Sequence, residues 1–289
     1  LATTYEQLVA HRKTDMPFSY TKRDTMLYAL SVGMGRDPLD QRDLQYVFEQ
    51  NPLRVLPTQA CVVARTALLI NAGLDRAKVL HGEQRLVVHK PLPAEASLLA
   101  NSWVGEVVDK GKEKGCIIDV ETAVRDAKTG EDIFTITTTT FARGDGGMGG
   151  PTASKRTPHT VPERSPDRTL STETRRDQAL LYRLNGDLNP LHADPVLAAR
   201  VGFKAPILHG LCTYGIACRE IVANVCDYDS TRIRAFDVRF TSPVYPGETV
   251  VTDLWVEGDV VSFRCRVPER NVTVLNNGRC VLGPANQHA

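Results

Sequence analysis

The sequence predicts an α+β fold made by internal duplication, in two units that each combine one long apolar helix with an antiparallel sheet. Three observations carry this. Distant segments match in one register: "VLPTQACVVARTALLINAG" from Val55 matches "ILHGLCTYGIACREIVANV" from Ile207, and "KPLPAEASL" from Lys90 matches "SPVYPGETV" from Ser242, both at an offset of 152. A run of strands rich in β-branched residues follows each apolar helix. Between the two runs lies a Gly-, Pro- and Ser-rich stretch, Ala142 to Arg168, with the composition of a linker.

The elements can be justified in chain order. Each copy opens on a turn-rich segment: "LYALSVGMGRDPLD" from Leu27 to Asp40, and "LYRLNGDLNPLHADP" from Leu181 to Pro195. Their Leu-Tyr pairs match at an offset of 154, and "DPLD" matches "NPLH" at 152, so the first copy holds a two-residue insertion. An apolar helix of about 15 residues is expected next in each copy, with Pro57 and Gly210 near the starts. In the second, Leu211, Tyr214, Ala217, Cys218, Ile221, Val222 and Val225 recur at three- and four-residue steps, a stripe wide enough for burial on most sides.

Strands are expected over "EQRLVVHK", "SLLANSWVGEVVD", "GCIIDVETAVRD" and "EDIFTITTTTFAR" in the first copy. In the second they are "RIRAFDVRF", "ETVVTDLWVEGD", "VVSFRCRV" and "VTVLNNGRCVLG". The domain reading is residues 1–145, a linker over 146–168, and 169–289.

Composition limits the function classes. The 289 residues suit one large domain or two smaller ones, and 42% hydrophobic residues can fill a sizeable core. The net charge is +1 with Lys and Arg scattered, which argues against a nucleic-acid partner. Seven cysteines, an odd number without a C-x-x-C pair, read as reduced, buried thiols in an intracellular compartment. No apolar run approaches the length of a membrane span. The N-terminus lacks an apolar signal core and an initiator Met, so a trimmed piece of a longer chain is one reading. The terminal "NQHA" matches no retention or peroxisomal address, which favours a cytoplasmic, bacterial enzyme over a peroxisomal one.

The densest chemistry lies in the second copy. Asn185-Gly186 favours positive φ and Asn189-Pro190 turns the chain away from helix, so a stiff turn can present Asp187 and His192 to one cavity. A carboxylate beside an imidazole is a plausible acid–base pair around a water molecule. If Gly210 opens the second helix, its N–H lacks an intrahelical partner and can stabilise an oxyanion. Together these suit addition or removal of water next to a carbonyl. An Asp in such a turn is also a common capping residue, and a His beside Pro is commonly structural. His192-Ala193-Asp194 could belong to a metal site, but no further cluster completes it, and no metal is expected. The "LHG" at Leu80–Gly82 falls outside the repeat register and reads as a decoy or a pocket wall.

"YRLNGDLNPLHADP" followed by "GFKAPILHGLCTYG" resembles the signature of the MaoC-like, type 2 enoyl-CoA hydratases, and "VLHGEQRLVVHKPLP", "GDGGMGG" and "PVYPGETV" extend the likeness from about Phe18 to Val281. It is similar to the hydratase part of peroxisomal multifunctional enzymes. The resemblance implies a double hot-dog fold in which the second copy carries catalysis and the first makes room for a bulky acyl chain. It implies (R)-specific, reversible hydration of a trans-2-enoyl-CoA, no cofactor, and a homodimer. It assigns Asp187 and His192 to the water and the double bond, Asn189 to holding them, and the Gly210 amide to the thioester oxygen. Tyr182, Arg183, His209, Gly82 and Gly147 are expected to line or support the substrate site, and Glu49 falls where relatives carry a conspicuous acid. Basic residues around Lys110 to Lys114, or Arg264 and Arg266, are candidates for the coenzyme A phosphates. The alternatives are an acyl-CoA binding protein without chemistry, and a thioesterase, for which the second helix offers only Glu220.

Overall fold

A computed structural model describes residues 3–50 and 52–284. The first half holds α1 (Tyr5–Val9), β1 (Arg12–Tyr20), α2 (Lys22–Ser31), α3 (Gln41–Val47), α4 (Ala60–Val63), β2 (Val79–Val88), β3 (Ala96–Asp109), β4 (Cys116–Asp126) and β5 (Asp132–Ala142). The second holds β6 (Arg168–Glu173), α5 (Gln178–Tyr182), α6 (Pro195–Arg200), α7 (Gly210–Asn224), β7 (Ile233–Phe240), β8 (Thr249–Glu257), β9 (Val260–Val267) and β10 (Val272–Leu282).

The ten strands of the described residues join one antiparallel sheet in the order β1-β3-β4-β5-β2-β7-β10-β9-β8-β6. Outward from the central β2–β7 seam the order is the same in both directions, β2-β5-β4-β3-β1 and β7-β10-β9-β8-β6. This is the architecture expected of a duplication joined edge to edge. Pairing at the seam runs from Glu83↔Arg239 to Val87↔Ala235. Closing the two sheets into one removes two strand edges that would otherwise be open to aggregation.

Helix α7 lies in the core against the second half of the sheet. Tyr214 packs edge-on against Phe236, which stacks on Phe263, and the Tyr214 hydroxyl donates to the Phe236 carbonyl at 2.7 Å. The two matched tyrosines, Tyr28 on α2 and Tyr182 on α5, meet edge to face at 6.2 Å. Gly215 is required where α2 crosses α7, since a Cβ there would lie 2.6 Å from Val32 and 2.7 Å from the Tyr28 hydroxyl. The fold is the double hot-dog.

The first helix departs from expectation. Instead of about 15 residues, a 3₁₀ turn at Pro57–Gln59 leads into the single turn α4, and the chain leaves helical geometry at Ala64 (φ −119°, ψ 50°). Ala67 then takes left-handed geometry (φ 47°) before a 3₁₀ turn at Leu68–Asn71. The offset of 152 places Arg65 and Thr66 where α7 has Ala217 and Cys218, both wholly buried. A guanidinium cannot occupy that position unpaired at reasonable cost, so the helix stops short of it. The two edge strands were also hidden from the sequence. β1 carries Pro17, Asp15 at φ 52° and a register shift between Lys13 and Met16, all features that blunt a strand signal at an edge.

The segment between β5 and β6 runs over the sheet face opposite the helices. Arg156 pairs with Asp119 of β4 at 2.8 Å, His159 bonds Ser262 of β9, and Trp255 of β8 donates to the Arg164 carbonyl. These contacts strap the two halves together. All seven cysteines are free and buried. No helix among the described residues is long and apolar enough to cross a membrane.

Candidate active site

The site forms on the loop between α5 and α6. Gly186 takes positive φ (102°), and the residue before Pro190, Asn189, is held near ψ 122°. The Asn185 amide donates to the Ser31 hydroxyl and the Tyr182 carbonyl, both at 2.9 Å, and Gln178 donates to the Ser31 carbonyl at 2.6 Å. The Asp–His loop is therefore tied to the end of α2 in the other half. The Asn189 side chain accepts from the Leu191 N–H at 3.1 Å, and its own N–H donates to Asp187 Oδ1 at 3.3 Å. Asn189 fixes the turn and orients the carboxylate.

His192 is buried, with Nδ1 2.8 Å from the Ile207 carbonyl. A carbonyl only accepts, so Nδ1 carries the hydrogen and Nε2 keeps a free lone pair. His209 is held the other way round: Nε2 donates to the Asp187 carbonyl at 3.1 Å. The two rings stack at 3.6 Å and 24°, and Tyr182 backs His209 at 4.9 Å. Burial, above all, pushes both imidazoles down, His209 to about 4, so both are neutral near pH 7. Burial alone would raise the Asp187 carboxyl, but its neighbours, the Arg65 guanidinium foremost, outweigh it and hold it below its ordinary value. Arg65 Nη1 lies 3.0 Å from Asp187 Oδ2.

Gly210 is the first residue of α7, where a backbone N–H has no intrahelical acceptor and the helix dipole is positive. A Cβ at Gly210 would press on the Phe240 ring at 3.0 Å. Asp187, His192, His209 and Gly210 all line one cavity of about 1150 Å³. Beyond Arg65 it continues into the first half along Leu68, Leu74 and Val79, the space left by the broken helix.

The expected residues separate into two groups. Asp187, Asn189, His192, His209 and Gly210 come together at the cavity. Tyr182, Arg183, Gly82 and Gly147 are not among the described residues that line it. Tyr182 is wholly buried behind His209, and Arg183 reaches only the Leu188 carbonyl, at 3.4 Å. Gly82 occupies a bulge between His81 and Glu83. Gly147 wraps the Asp109 carboxylate together with Gly149 and Gly111. Glu49 is exposed in the turn after α3, outside the cavity lining. Arg264 and Arg266 are tied to Asp253 at 3.3 and 3.0 Å, while Lys110 and Lys114 border a separate surface hollow with Arg143. Glu220 is bound by Thr172, Arg219 and Asn224, away from the cavity.

Arg65 went unforeseen, while His81 belongs to the Leu80–Gly82 segment read as a decoy or a pocket wall. His81, the neighbour of the singled-out Gly82, lines the cavity and tilts against Phe240 at 4.6 Å. Its ring is exposed to the cavity space rather than packed in the core. A signal for Arg65 existed: it is the one charge in the apolar run Val62–Ile70.

Asp187, His192 and His209 bring ligand-capable atoms within 4.8 Å of one another. They fit a metal poorly. The near-parallel rings aim their lone pairs alongside each other rather than at one point, and Arg65 already holds an Asp187 oxygen.

Comparison with known proteins agrees with this architecture. Residues 154–277 match the MaoC like domain, and residues 18–144 match the MFE-2 hydratase 2 N-terminal domain. The chain is 38% identical to the peroxisomal enoyl-CoA hydratase 2 of Arabidopsis thaliana, over 93% of its own length and 92% of that protein. It is 37% identical to the peroxisomal multifunctional enzyme type 2 of Mus musculus, over 96% of its own length but 38% of that longer chain. A solved MaoC-like dehydratase from Phytophthora capsici superimposes with a TM-score of 0.85 at 30% identity, covering 98% of this chain and 99% of that one. A hydratase 2 N-terminal domain joined to a MaoC-like domain, with the Asp–His loop in the latter alone, places the chain in the MaoC-like enoyl-CoA hydratase 2 family of hydro-lyases.

Proposed function

We propose that the protein reversibly hydrates trans-2-enoyl-CoA to the (3R)-3-hydroxyacyl-CoA. The observation that carries this reading is the placement of Asp187, the free Nε2 of His192 and the first amide of α7 on one cavity that continues into an acyl-sized space. The thioester oxygen sits at the Gly210 N–H and the acyl chain extends beneath the broken helix. Asp187 accepts one hydrogen of a water molecule and orients it. Nε2 of His192 takes the other proton as the water oxygen bonds to the β-carbon. The electron pair of the double bond moves toward the thioester, and the Gly210 amide holds the enolate charge. The proton on His192 then passes to the α-carbon, which balances the addition and restores the neutral ring. The imidazolium formed in passing is stabilised by the adjacent carboxylate.

Removing one group of such an acid–base pair costs about 10²–10⁴-fold in rate. Asp187→Asn and His192→Ala are each expected to lose that much of kcat/KM, with folding intact. The assay is the loss of enoyl-thioester absorbance with four-carbon, ten-carbon and sterol side-chain enoyl-CoAs. Wild-type rates in both variants would remove the assignment. Binding without turnover by the wild-type protein would make it an acyl-CoA carrier. The cavity favours medium to bulky acyl groups, so the ten-carbon and sterol substrates are expected to outpace the four-carbon one. The wholly thiol state of the cysteines suits a reducing compartment.

A further inference from the structure

The half without an Asp–His loop contributes more than space. In the repeat register Arg65 is the counterpart of Ala217, a wholly buried residue in the middle of α7. The first helix ends two residues earlier, at Val63, and the irregular backbone from Ala64 delivers Arg65 to the cavity. There its Nη1 meets Asp187 Oδ2 at 3.0 Å, across the boundary between the halves. Asp187 Oδ1 is engaged by the Asn189 N–H, so each carboxylate oxygen has one fixed donor and keeps a lone pair for water. The irregular segment is itself anchored: the Thr66 carbonyl accepts from Lys13 of β1 at 2.9 Å, and its hydroxyl donates to Ser102 of β3 at 3.0 Å. With side-chain exposures of 45% for Arg65 and 20% for Asp187, the pair joins an open cation to a half-enclosed carboxylate.

We propose that Arg65 is a positioning residue of the catalytic centre, contributed by the half without an Asp–His loop, whose guanidinium orients the Asp187 carboxylate toward the water. This rests on the hydratase reading of the preceding subsection. The groups that face the pair are His192 of the Asp–His loop, His209 before α7, His81 of β2 and Arg183 after α5. His192 and His209 are disfavoured as cations by enclosure, and Arg65 pushes both of them in the same direction. One guanidinium thus favours both halves of the working state, carboxylate and free imidazole. The broken helix of the first half has two uses from one event: it opens the acyl space and supplies this cation.

The test measures kcat and KM from pH 4.5 to 9 for the wild type, Arg65→Gln and Arg65→Lys, using ten-carbon enoyl-CoA. An opposite charge at this distance holds a carboxyl down by about 1–3 units. Arg65→Gln is therefore expected to move the acid limb of kcat/KM upward by about one unit or more and to lower kcat, with Arg65→Lys restoring much of both. In parallel, carboxyl-carbon NMR follows the Asp187 titration in the wild type and Arg65→Gln, assigned by its loss in Asp187→Asn. The NMR arm reads the pairing whether or not the protein turns over, so a wild type inactive on every enoyl-CoA would sink the hydratase reading without touching the ion pair. An unmoved acid limb and an unmoved Asp187 titration in Arg65→Gln would overturn the proposal, even if the rate fell.

Discussion

At the residue scale, the site depends on groups whose charge state is set by neighbours. His192 is held as a base because the Ile207 carbonyl takes its Nδ1 hydrogen, and His209 braces it by stacking and by bonding the Asp187 backbone. Burial of His209 has a cost in acid. Its imidazole has a folded value near 4 against an ordinary value of 6.5, so between those pH values the unfolded chain binds a proton that the folded chain does not. Stability is therefore complete above about pH 7 and falls as the pH drops toward 4. Calorimetry at pH 7, 6, 5 and 4.5 is expected to show Tm falling through this window, less steeply in His209→Asn; a flat wild-type profile would contradict a neutral, enclosed His209. The sequence made Asp187, Asn189, His192 and Gly210 legible because turn chemistry and helix-start chemistry are local. Arg65 was visible only as the lone charge of an apolar run; its role was not legible, because its partner Asp187 lies far along the chain and its place depends on a helix that stops.

At the element scale, the two central helices show how one register yields two structures. α7 continues because Ala217 and Cys218 can be buried without an unmet charge, and the equivalent Arg65 and Thr66 cannot. Periodicity suggested a helix in both copies, since apolar residues dominate both stretches. A single arginine within the run decided the outcome, and counting apolar positions gave it too little weight. The edge strands were missed for a related reason: β1 is interrupted by Pro17 and a bulge, and β6 has only six residues. Where α2 crosses α7, packing rather than propensity decides. Gly215→Ala would gain helix propensity, yet its Cβ would fall within 2.7 Å of Val32 and the Tyr28 hydroxyl. The expected net effect is a loss of about 1–3 kcal/mol, seen as a Tm lowered by several degrees. An unchanged Tm would mean that α2 is free to move away from α7.

At the scale of the whole molecule, duplication followed by divergence explains why one chain has one site. The sheet is symmetric about the β2–β7 seam, and the segment between the halves straps its outer face through Asp119, Ser262 and Trp255. The symmetry was readable from the constant offset of 152 across several matched segments. The strap was not, because its Gly-, Pro- and Ser-rich composition signals a connection without specifying where it runs. The loop of the first copy lacks an Asp–His pair and serves as a frame, with Ser31 accepting from Gln178 and Asn185 of the working copy. Neither half contains a complete centre: one brings Asp187, His192 and Gly210, the other Arg65 and the acyl space. The central claim is water addition by this composite centre, and its most direct measurement is product analysis after incubating trans-2-decenoyl-CoA with the protein in deuterium oxide. The expected product is (3R)-3-hydroxydecanoyl-CoA with one deuterium on the α-carbon, formed by the wild type and nearly absent with Asp187→Asn. Release of free coenzyme A, a (3S) product, or an unchanged substrate would contradict it.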